Sequence, residues 1–272
     1  MALGKNYRMG RIFKKDGRSL IVAMDHAKHS GVLPGLENPK RAIEQFIQGG
    51  ADGIMTTYGV LKNYSHIIAG RLATILRLDD FGTSKYGIDL QKIKEYNLHH
   101  TVQDAVKLGV DGVIVMVLLG LPSEQTSLKN LGLIAGECEE WGIPLAAELL
   151  VGGFEPSKKF KKLFDAGFVS DSARIGAEYG ADMIKTNYTE TVRGFRKVVE
   201  SCPIPVLIAG GPKAKEEIDV LNTVEGMVEA GGAGVFFGRN IWQHKNPLAM
   251  TRAISRIIHD GATAEEALKE LE

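Results

Sequence analysis

The chain has 272 residues, and its 33 Lys and Arg balance 33 Asp and Glu, so the formal net charge is zero. This balance argues against nucleic acid or an anionic membrane as the main binding partner. With 44% hydrophobic and 24% charged residues, the composition is that of a globular protein with a large core and excludes a disordered chain.

The cysteines and the N-terminal segment predict a cytoplasmic protein. Cys138 and Cys202 are far apart and have no second Cys or His at metal-ligand spacing, so neither a disulfide framework nor a zinc site is indicated. The first 19 residues are polar and basic without an apolar core, which is not the pattern of a signal peptide. No stretch reaches the roughly 18 apolar residues that are needed to cross a bilayer.

Short apolar runs rich in β-branched residues predict eight strands. In chain order, these runs are residues 19–24, 53–57, 74–78, 112–117, 144–150, 182–186, 205–209 and 234–237. The fourth run is apolar without alternation, which is typical of parallel strands that are covered on both faces. Helical segments are predicted between and after the strands, at residues 39–48, 101–108, 128–141, 172–179, 189–199, 218–230 and 264–271.

Several predicted helices end in the same pattern, a glycine followed by an aspartate just before the next strand. The pattern occurs at residues 48–53, 107–112 and 178–182. Glycine readily adopts the left-handed conformation that ends a helix, so the repeat marks successive helix-to-strand turns. Eight strands with such turns predict a single (β/α)₈ TIM barrel over residues 1–272. A doubly wound sheet is the alternative, but Asp25-His26-Ala27-Lys28 follows the first run where that fold needs a Gly-rich phosphate loop.

Lys185 is the first candidate for a catalytic role. Active sites of such barrels lie at the carboxyl ends of the strands, and Lys185 lies near the end of the sixth run, after Met183-Ile184 and before a Thr. A lysine desolvated there loses its proton more readily and can attack a carbonyl carbon to form a Schiff base. The alternative is a lysine that extends to solvent or forms a buried ion pair with Asp25 or Glu148.

The loops after the last two strands predict a phosphate site. Gly210 and Gly211 follow the seventh run, and Gly238 follows the eighth. Small residues let backbone N–H groups approach phosphate oxygens, and Lys213 or Arg239 would supply the counter-charge. The alternative is that these glycines only serve tight turns.

Five further residues at or near strand ends are candidates for proton transfer or substrate contact. Asp25 and His26 could act as an acid–base pair, or as a turn cap and a hydrogen-bonded histidine. Glu148 either lines the barrel or faces a helix. Arg77 and Asn187 are candidate substrate contacts, with an ion-paired surface as the alternative for Arg77. The basic run at residues 158–162 is interpreted as a solvated helix face.

Four motifs, in this order along the chain, resemble the archaeal-type class I fructose-bisphosphate aldolases. They are residues 21–26 (IVAMDH), 183–188 (MIKTNY), 205–211 (PVLIAGG) and 238–243 (GRNIWQ). The same group contains amino-dideoxyheptulosonate synthases and phospho-autoinducer thiolases. The resemblance implies a barrel without metal, a Schiff-base lysine at Lys185, proton transfer at Asp25 and phosphate loops at Gly210-Gly211 and Gly238-Arg239. It also implies a homo-oligomer like the ring-shaped decamers of the group.

The end of the fifth strand departs from the family pattern. The fructose-bisphosphate aldolases and heptulosonate synthases of the group carry a catalytic Tyr there, in the context Tyr-Pro-Arg-Gly, whereas this chain has Leu150-Val151-Gly152-Gly153. The thiolases also lack that tyrosine. Glu148, Tyr188 or a water held by His26 is then expected to replace it.

The sequence therefore predicts a Schiff-base aldolase that acts on a phosphorylated ketose and needs no cofactor. The default substrate is fructose 1,6-bisphosphate, which would be cleaved to dihydroxyacetone phosphate and glyceraldehyde 3-phosphate. A transaldolase- or thiolase-type transfer is the alternative within the family. A phosphosugar-binding barrel without catalytic activity is an alternative from another class.

Overall fold

A computed structural model describes residues 3–87, 89, 92–153 and 164–272, so the basic run at 158–162 lies outside the described residues. Eight parallel strands close into one barrel, with each strand hydrogen-bonded to its neighbours in chain order and the last paired with the first. They are β1 (Ser19–Ala23), β2 (Gly53–Thr56), β3 (Ala73–Arg77), β4 (Gly112–Leu119), β5 (Leu145–Val151), β6 (Met183–Thr186), β7 (Val206–Ala209) and β8 (Gly234–Phe237). The predicted TIM barrel is confirmed.

Helices alternate with the barrel strands and cover their outer faces. The α-helices are Leu3–Ile12, Ala27–Ser30, Pro39–Gln48, Tyr58–Ile68, Val102–Leu108, Glu124–Trp141, Ala166–Glu178, Val192–Ser201, Glu217–Glu229, Arg239–Trp242, Pro247–Asp260 and Ala264–Leu268. Two 3₁₀ turns, Ser84–Tyr86 and Lys269–Leu271, and a pair of two-residue strands, Asp79–Asp80 and Asn97–Leu98, complete the described elements. No helix among the described residues is long and apolar enough to span a membrane.

All seven predicted helical segments coincide with helices. Three further helices of ten or more residues were not predicted. Leu3–Ile12 was missed because its only buried residues are Lys5 and Ile12, so it shows no apolar stripe. Tyr58–Ile68 contains a non-helical residue, Tyr64, that breaks its periodicity. Pro247–Asp260 carries an Asn cap, a Pro in its first turn and a C-terminal Gly, which are sufficient signals that the prediction overlooked.

The repeated Gly and Asp residues have separate structural roles. Gly50, Gly109 and Gly180 are left-handed, with φ of 88°, 78° and 94°, as the pattern predicts. The aspartate after each of them accepts a backbone N–H at the start of an adjacent strand. These pairs are Asp52 with Leu20 at 2.6 Å, Asp111 with Thr74 at 2.9 Å and Asp182 with Leu145 at 2.8 Å. Since these backbone groups are buried or partly buried, the carboxylates satisfy donors that would otherwise destabilise the fold.

The N-terminal helix closes the bottom of the barrel. Its last residue, Ile12, is buried in the apolar cluster inside the barrel. Basic residues in and just after this helix pair with the same three aspartates. The pairs are Lys5 with Asp182 at 2.9 Å, Arg11 with Asp111, and Lys14 with Asp52 at 3.3 Å. The basic character of the N-terminal segment is therefore explained by ion pairs that fasten this helix to the barrel.

His259 fastens the helix Pro247–Asp260 to the same end of the barrel. Its Nδ1 lies 2.7 Å from Asp16 Oδ2, and its Nε2 lies 2.8 Å from Asp52 Oδ2. Burial alone would lower the pKa of His259, but the hydrogen bonds and charges of these two carboxylates raise it above the ordinary value.

We expect this contact to make stability depend on pH. A histidine whose pKa is raised by folding stabilises the fold fully below its unfolded pKa, and the stabilisation is lost as pH rises through the folded pKa. The wild type should exceed His259→Gln in unfolding free energy by about 1–3 kcal/mol at pH 6, and the difference should shrink by pH 9. Urea unfolding of both proteins at the two pH values measures it. A difference that stays constant between them would contradict the prediction.

Alternation along the strands places polar groups above an apolar layer. The side chains that fill the barrel include Ile21, Ala23, Met55, Ile75, Ile114, Ala146, Met183, Leu207 and Phe236. Because side chains alternate between the two faces of a strand, the residues two positions further on also point inward. On β3, β5 and β6 these are Arg77, Glu148 and Lys185, all of which are buried. The charged layer is thus fixed by strand register at the carboxyl end of the barrel.

Candidate active site

Lys185 and Glu148 form a buried ion pair at the centre of the charged layer. They are partners in the β5–β6 register, each is only 5% exposed, and Lys185 Nζ lies 2.7 Å from Glu148 Oε1. The ring of Phe236 lies beneath the ammonium group, 5.6 Å from Nζ to the ring centroid. Lys185 therefore has the predicted position at the barrel mouth and also forms the ion pair that the sequence offered as the alternative.

Arg77 holds the carboxylates of this layer together. Its Nε donates to Asp25 Oδ2 at 3.0 Å, its Nη1 donates to Asp79 Oδ1 at 3.3 Å, and its Nη2 donates to Glu148 Oε2. The side chain is 2% exposed, so Arg77 is ion-paired, as the alternative expected, but inside the barrel and not on the surface. Although Arg77 lines the cavity, its guanidinium is already bound to three carboxylates, which makes it a positioning residue.

Both carboxylates beside Lys185 are held in the ionised form. Burial alone would raise the pKa of Asp25, but Arg77, His26 and Lys185 together hold that pKa well below its usual range. Burial likewise acts to raise the pKa of Glu148, but Lys185 and Arg77 outweigh it and lower the pKa. At neutral pH, these groups can therefore accept protons or hydrogen bonds. His26 Nδ1 lies 3.4 Å from Asp25 Oδ1, so the predicted pair is adjacent in space.

Asp79 belongs to the same network and was missed by the sequence reasoning. Its carboxylate is completely buried and accepts both from Arg77 and from the backbone N–H of Met116, the latter at 2.6 Å. Burial outweighs these contacts and raises the pKa of Asp79 to about 6. The available signal was an acidic pair, Asp79-Asp80, directly after the third apolar run, at the end of the strand where barrel sites lie.

A cavity of about 600 Å³ opens above the charged layer. Predicted site residues line much of it: Asp25, His26, Arg77, Glu148, Lys185, Asn187, Gly211, Lys213 and Arg239. Apolar and aromatic side chains form another part of the wall: Leu33, Phe81, Met116, Leu150 and Phe164. A cavity of this size with convergent charged groups suits a small polar ligand.

The β7 and β8 loops provide the cationic side of this cavity. Arg239 Nε is buried, and within the described chain it has no hydrogen-bond partner, so it is available to an anionic ligand. Gly211 is left-handed with φ of 62° and leaves open space where a Cβ would stand. Lys213 Nζ donates to the carbonyl of Gln243 at 2.7 Å, which ties the two loops together.

Gly210 and Gly238 determine the conformation of these loops and do not line the cavity. The Gly210 carbonyl accepts from Asn240 Nδ2 at 2.7 Å. A Cβ at position 238 would lie 2.8 Å from the carbonyl oxygen of Ala23 and 3.1 Å from His26, so only glycine fits without a shift. Of the five predicted phosphate residues, Gly211, Lys213 and Arg239 line the cavity. Gly210 and Gly238 instead determine the path of the two loops.

Tyr188 does not reach the cavity. Its ring packs on Phe195, with centroids 5.3 Å apart, and a Cβ at Gly226 would come within 2.3 Å of its hydroxyl. The side chain therefore lies outside the barrel, between the helices Val192–Ser201 and Glu217–Glu229. Of the three expected replacements for the strand-five tyrosine, only Glu148 and His26 line the cavity. The residue after next along a strand shares its face, which explains why Asn187 points inward and Tyr188 does not.

Among the residues that the structure describes, no group of three or more His, Cys, Asp or Glu side chains is arranged to hold a metal ion. The reactive groups that line the cavity include the amines of Lys185 and Lys213, the ionised carboxylates of Asp25 and Glu148, and the imidazoles of His26 and His29. A closed parallel barrel with these groups at the carboxyl ends of its strands has the architecture of a TIM-barrel enzyme.

Comparison with known proteins identifies the family. Residues 19–244 match the DeoC/LacD family aldolase, so the chain belongs to this family and is an enzyme of the aldolase class. It is 32% identical to a 2-amino-3,7-dideoxy-D-threo-hept-6-ulosonate synthase of Halobacterium salinarum, over 97% of this chain and 95% of that protein. It is also 32% identical to a 3-hydroxy-5-phosphonooxypentane-2,4-dione thiolase of Enterobacter sp., over 98% of this chain and 85% of that protein.

A solved structure supports the same assignment. The chain is similar to a Schiff-base-forming fructose-1,6-bisphosphate aldolase, with a TM-score of 0.81 and 29% identity over 94% of this chain and 100% of that one. The family resemblance seen in the sequence is confirmed.

Proposed function

We propose that the protein is a class I aldolase in which Lys185 forms a Schiff base with a phosphorylated ketose, with fructose 1,6-bisphosphate as the default substrate. One observation carries the proposal: Lys185 Nζ lies 2.7 Å from Glu148 Oε1 on the wall of a cavity that Arg239 also lines. Schiff-base formation needs an amine next to a proton acceptor, and the ion pair supplies both. The solved relative that forms a Schiff base with this sugar class supports the assignment.

Binding of the phosphate group positions the carbonyl carbon. The free Nε of Arg239 and the exposed amine of Lys213 would hold the anion beside Gly211. The charged layer lies on another part of the same wall, so a ketose bound by its phosphate extends towards Lys185. Fixing the reacting atoms in this way lowers the entropic part of the barrier.

The chemistry follows from the two carboxylates. Glu148 takes the proton of the Lys185 ammonium group, and the free amine adds to the C2 carbonyl carbon of the ketose. Glu148 returns this proton to the carbinolamine hydroxyl, which leaves as water and gives an iminium ion. Asp25 takes the proton of the C4 hydroxyl, the C3–C4 bond breaks, and its electron pair moves into the iminium to form an enamine. Glyceraldehyde 3-phosphate leaves, Asp25 returns its proton to C3 of the enamine, and hydrolysis of the imine then releases dihydroxyacetone phosphate and restores Lys185.

Borohydride trapping tests the proposal. The wild type is incubated with dihydroxyacetone phosphate or with fructose 1,6-bisphosphate, reduced, and analysed by intact mass and peptide mapping. We expect one adduct, located at Lys185. Lys107→Met, on the exposed face of the helix Val102–Leu108, is the matched lysine control and should label like the wild type. No adduct with either compound, despite measurable binding, would overturn the proposal.

Glu148→Gln should slow adduct formation. Glutamine keeps the shape of the side chain but cannot take the proton of Lys185, so we expect the rate of trapping with dihydroxyacetone phosphate to fall about 10²–10³-fold. The exposed Glu265 provides a matched control as Glu265→Gln, which should trap at the wild-type rate. Unchanged trapping in Glu148→Gln would exclude Glu148 as the proton acceptor.

Transfer of a carbon unit to a second acceptor is the other candidate function. It is favoured by the synthase and thiolase relatives at 32% identity and by Leu150, which lines the cavity at the family's tyrosine position. Trapping alone does not distinguish the two reactions, because both use a carbonyl compound bound near the same lysine. Product analysis with aldehyde and acyl acceptors distinguishes the two reactions. Only a transferase would convert the donor faster when an acyl acceptor is added.

A further inference from the structure

Tyr96 is a buried tyrosine next to the charged layer that the steps above do not use. It is 3% exposed and directly precedes the short strand Asn97–Leu98, which pairs with Asp79–Asp80. Its carbonyl oxygen accepts from Asn130 Nδ2 at 2.6 Å. The backbone at Tyr96 is therefore held on one side by the strand Asp79–Asp80 and on the other by the helix Glu124–Trp141. These contacts fix the position from which the Tyr96 side chain extends.

The hydroxyl of Tyr96 contacts the wall of the cavity. It donates to Met116 Sδ at 3.2 Å, and Met116 lines the cavity and is the register partner of Glu148. Phe81, which also lines the cavity, has its ring centroid 6.0 Å from that of Tyr96. A thioether is a weak acceptor, so the hydroxyl would readily exchange it for an oxygen. Methionine is unbranched and flexible, so rotation of Met116 away from this contact would open the hydroxyl to the cavity.

Tyr96 also has the protonation state that the two carboxylates lack. Asp25 and Glu148 are ionised, whereas burial and the charge of Asp79 raise the pKa of Tyr96 well above its usual value. The phenol is therefore a neutral hydrogen-bond donor at the working pH. Tyr188, the tyrosine expected from the sequence, has its hydroxyl outside the barrel, so it cannot take this role.

We propose that Tyr96 donates a hydrogen bond to the oxygen of the aldehyde carbon while the carbon–carbon bond forms or breaks, with Met116 displaced by the bound substrate. This inference rests on the proposed function. In cleavage, the C4 hydroxyl proton passes to Asp25 and the C3–C4 electron pair passes to the iminium, while Tyr96 stays neutral throughout. Its hydrogen bond stabilises the negative charge that develops on the C4 oxygen, as a fixed donor in a water-poor site does.

The test separates carbonyl activation from the carbon–carbon step. Tyr96→Phe and Tyr188→Phe remove the same atom, one beside the cavity and one outside the barrel. For each variant, three quantities are measured: borohydride trapping with dihydroxyacetone phosphate, exchange of its C3 proton with deuterated water, and product formation. Product formation is followed by fructose 1,6-bisphosphate cleavage and by condensation of dihydroxyacetone phosphate with phosphorylated and uncharged aldehydes.

We expect Tyr96→Phe to keep trapping and proton exchange within about threefold of the wild type, because neither involves the aldehyde oxygen. Product formation should fall about 10²-fold, the cost of losing one such donor. Tyr188→Phe should match the wild type in all three. Among the described residues, the hydroxyl donates to a thioether, which is a weak acceptor, so thermal unfolding of Tyr96→Phe should stay near that of the wild type, which excludes a general loss of fold.

Two results would overturn the inference and leave the proposed function standing: full product formation by Tyr96→Phe, or an equal loss of trapping and product formation. A wild type that gives no adduct at Lys185 would overturn the proposed function and this inference together. A wild type that gives the adduct but neither cleaves fructose 1,6-bisphosphate nor forms a product with any aldehyde would overturn both the aldolase reaction and the role assigned to Tyr96, and only the Schiff base at Lys185 would then stand.

Discussion

Lys185→Met should abolish the trapped adduct and lower turnover by at least about 10⁴-fold, while the protein stays folded. Methionine fills nearly the same volume above Phe236 but has no amine, so the covalent route is closed. Glu148 keeps its contact with Arg77, and we therefore expect a loss of only about 1–2 kcal/mol in the free energy of unfolding.

The activity measurements for Lys185→Met need a stability measurement on the same protein. Turnover and trapping are measured with the same batch of protein as urea unfolding, so that a loss of activity can be assigned to chemistry. Persistence of a reduced adduct in Lys185→Met would show that another amine reacts, and the nearby Lys213 on the cavity wall would be examined first by peptide mapping.

Arg77→Met should affect stability more strongly than Lys185→Met does. We expect it to cause the largest loss of unfolding free energy among these variants. Removing this guanidinium leaves Asp25, Asp79 and Glu148 buried without the cation they share. Loss of one partner from a buried ion pair costs about 3–5 kcal/mol, because a charge remains without compensation. We expect a loss of that size in urea unfolding at pH 7. Arg77→Lys keeps the charge but not the forked guanidinium that reaches three carboxylates. Its free energy of unfolding should therefore lie between those of the wild type and Arg77→Met.

The loss caused by Arg77→Met should shrink as pH falls. Arg77 contributes to keeping the pKa values of Asp25 and Glu148 low. A group with a depressed folded pKa gives stability that is present above its unfolded pKa and lost as pH falls through the folded pKa. Without Arg77, the carboxylates should take up protons at higher pH, so the gap to the wild type should narrow between pH 7 and pH 4. A loss below about 1 kcal/mol at pH 7 would contradict the role assigned to Arg77.

The strand register connects the fold to the proposed chemistry. Glu148 and Lys185 face each other because they are register partners on adjacent strands, and Met116 is the partner of Glu148 on the next strand. The same layer therefore places the amine, its proton acceptor and the side chain that covers Tyr96 side by side. In a barrel, these inward positions are held by a closed sheet, which is how a site of this kind stays ordered before substrate binds.

Local signals in the sequence determined the eight strands, the left-handed glycines and the strand-end position of Lys185. Such features depend on residues that are close in the chain: apolar runs, glycines after helices, and the residue that closes each run. Glu148 could be placed only on a strand, because its apolar neighbours fit either face of the sheet. The homo-oligomer and the fructose 1,6-bisphosphate substrate stay predictions from the family resemblance.

Only the tertiary structure decided the positions and contacts of Arg77, Asp79, Tyr96 and the N-terminal helix. Arg77 meets Glu148 across 71 positions of sequence, and the basic residues of the first helix meet aspartates at the starts of distant strands. Burial and charge compensation act between side chains that strand closure brings together, and they leave no periodic pattern in the chain. The same holds for Tyr188, whose exclusion from the cavity follows from strand register and packing against a helix.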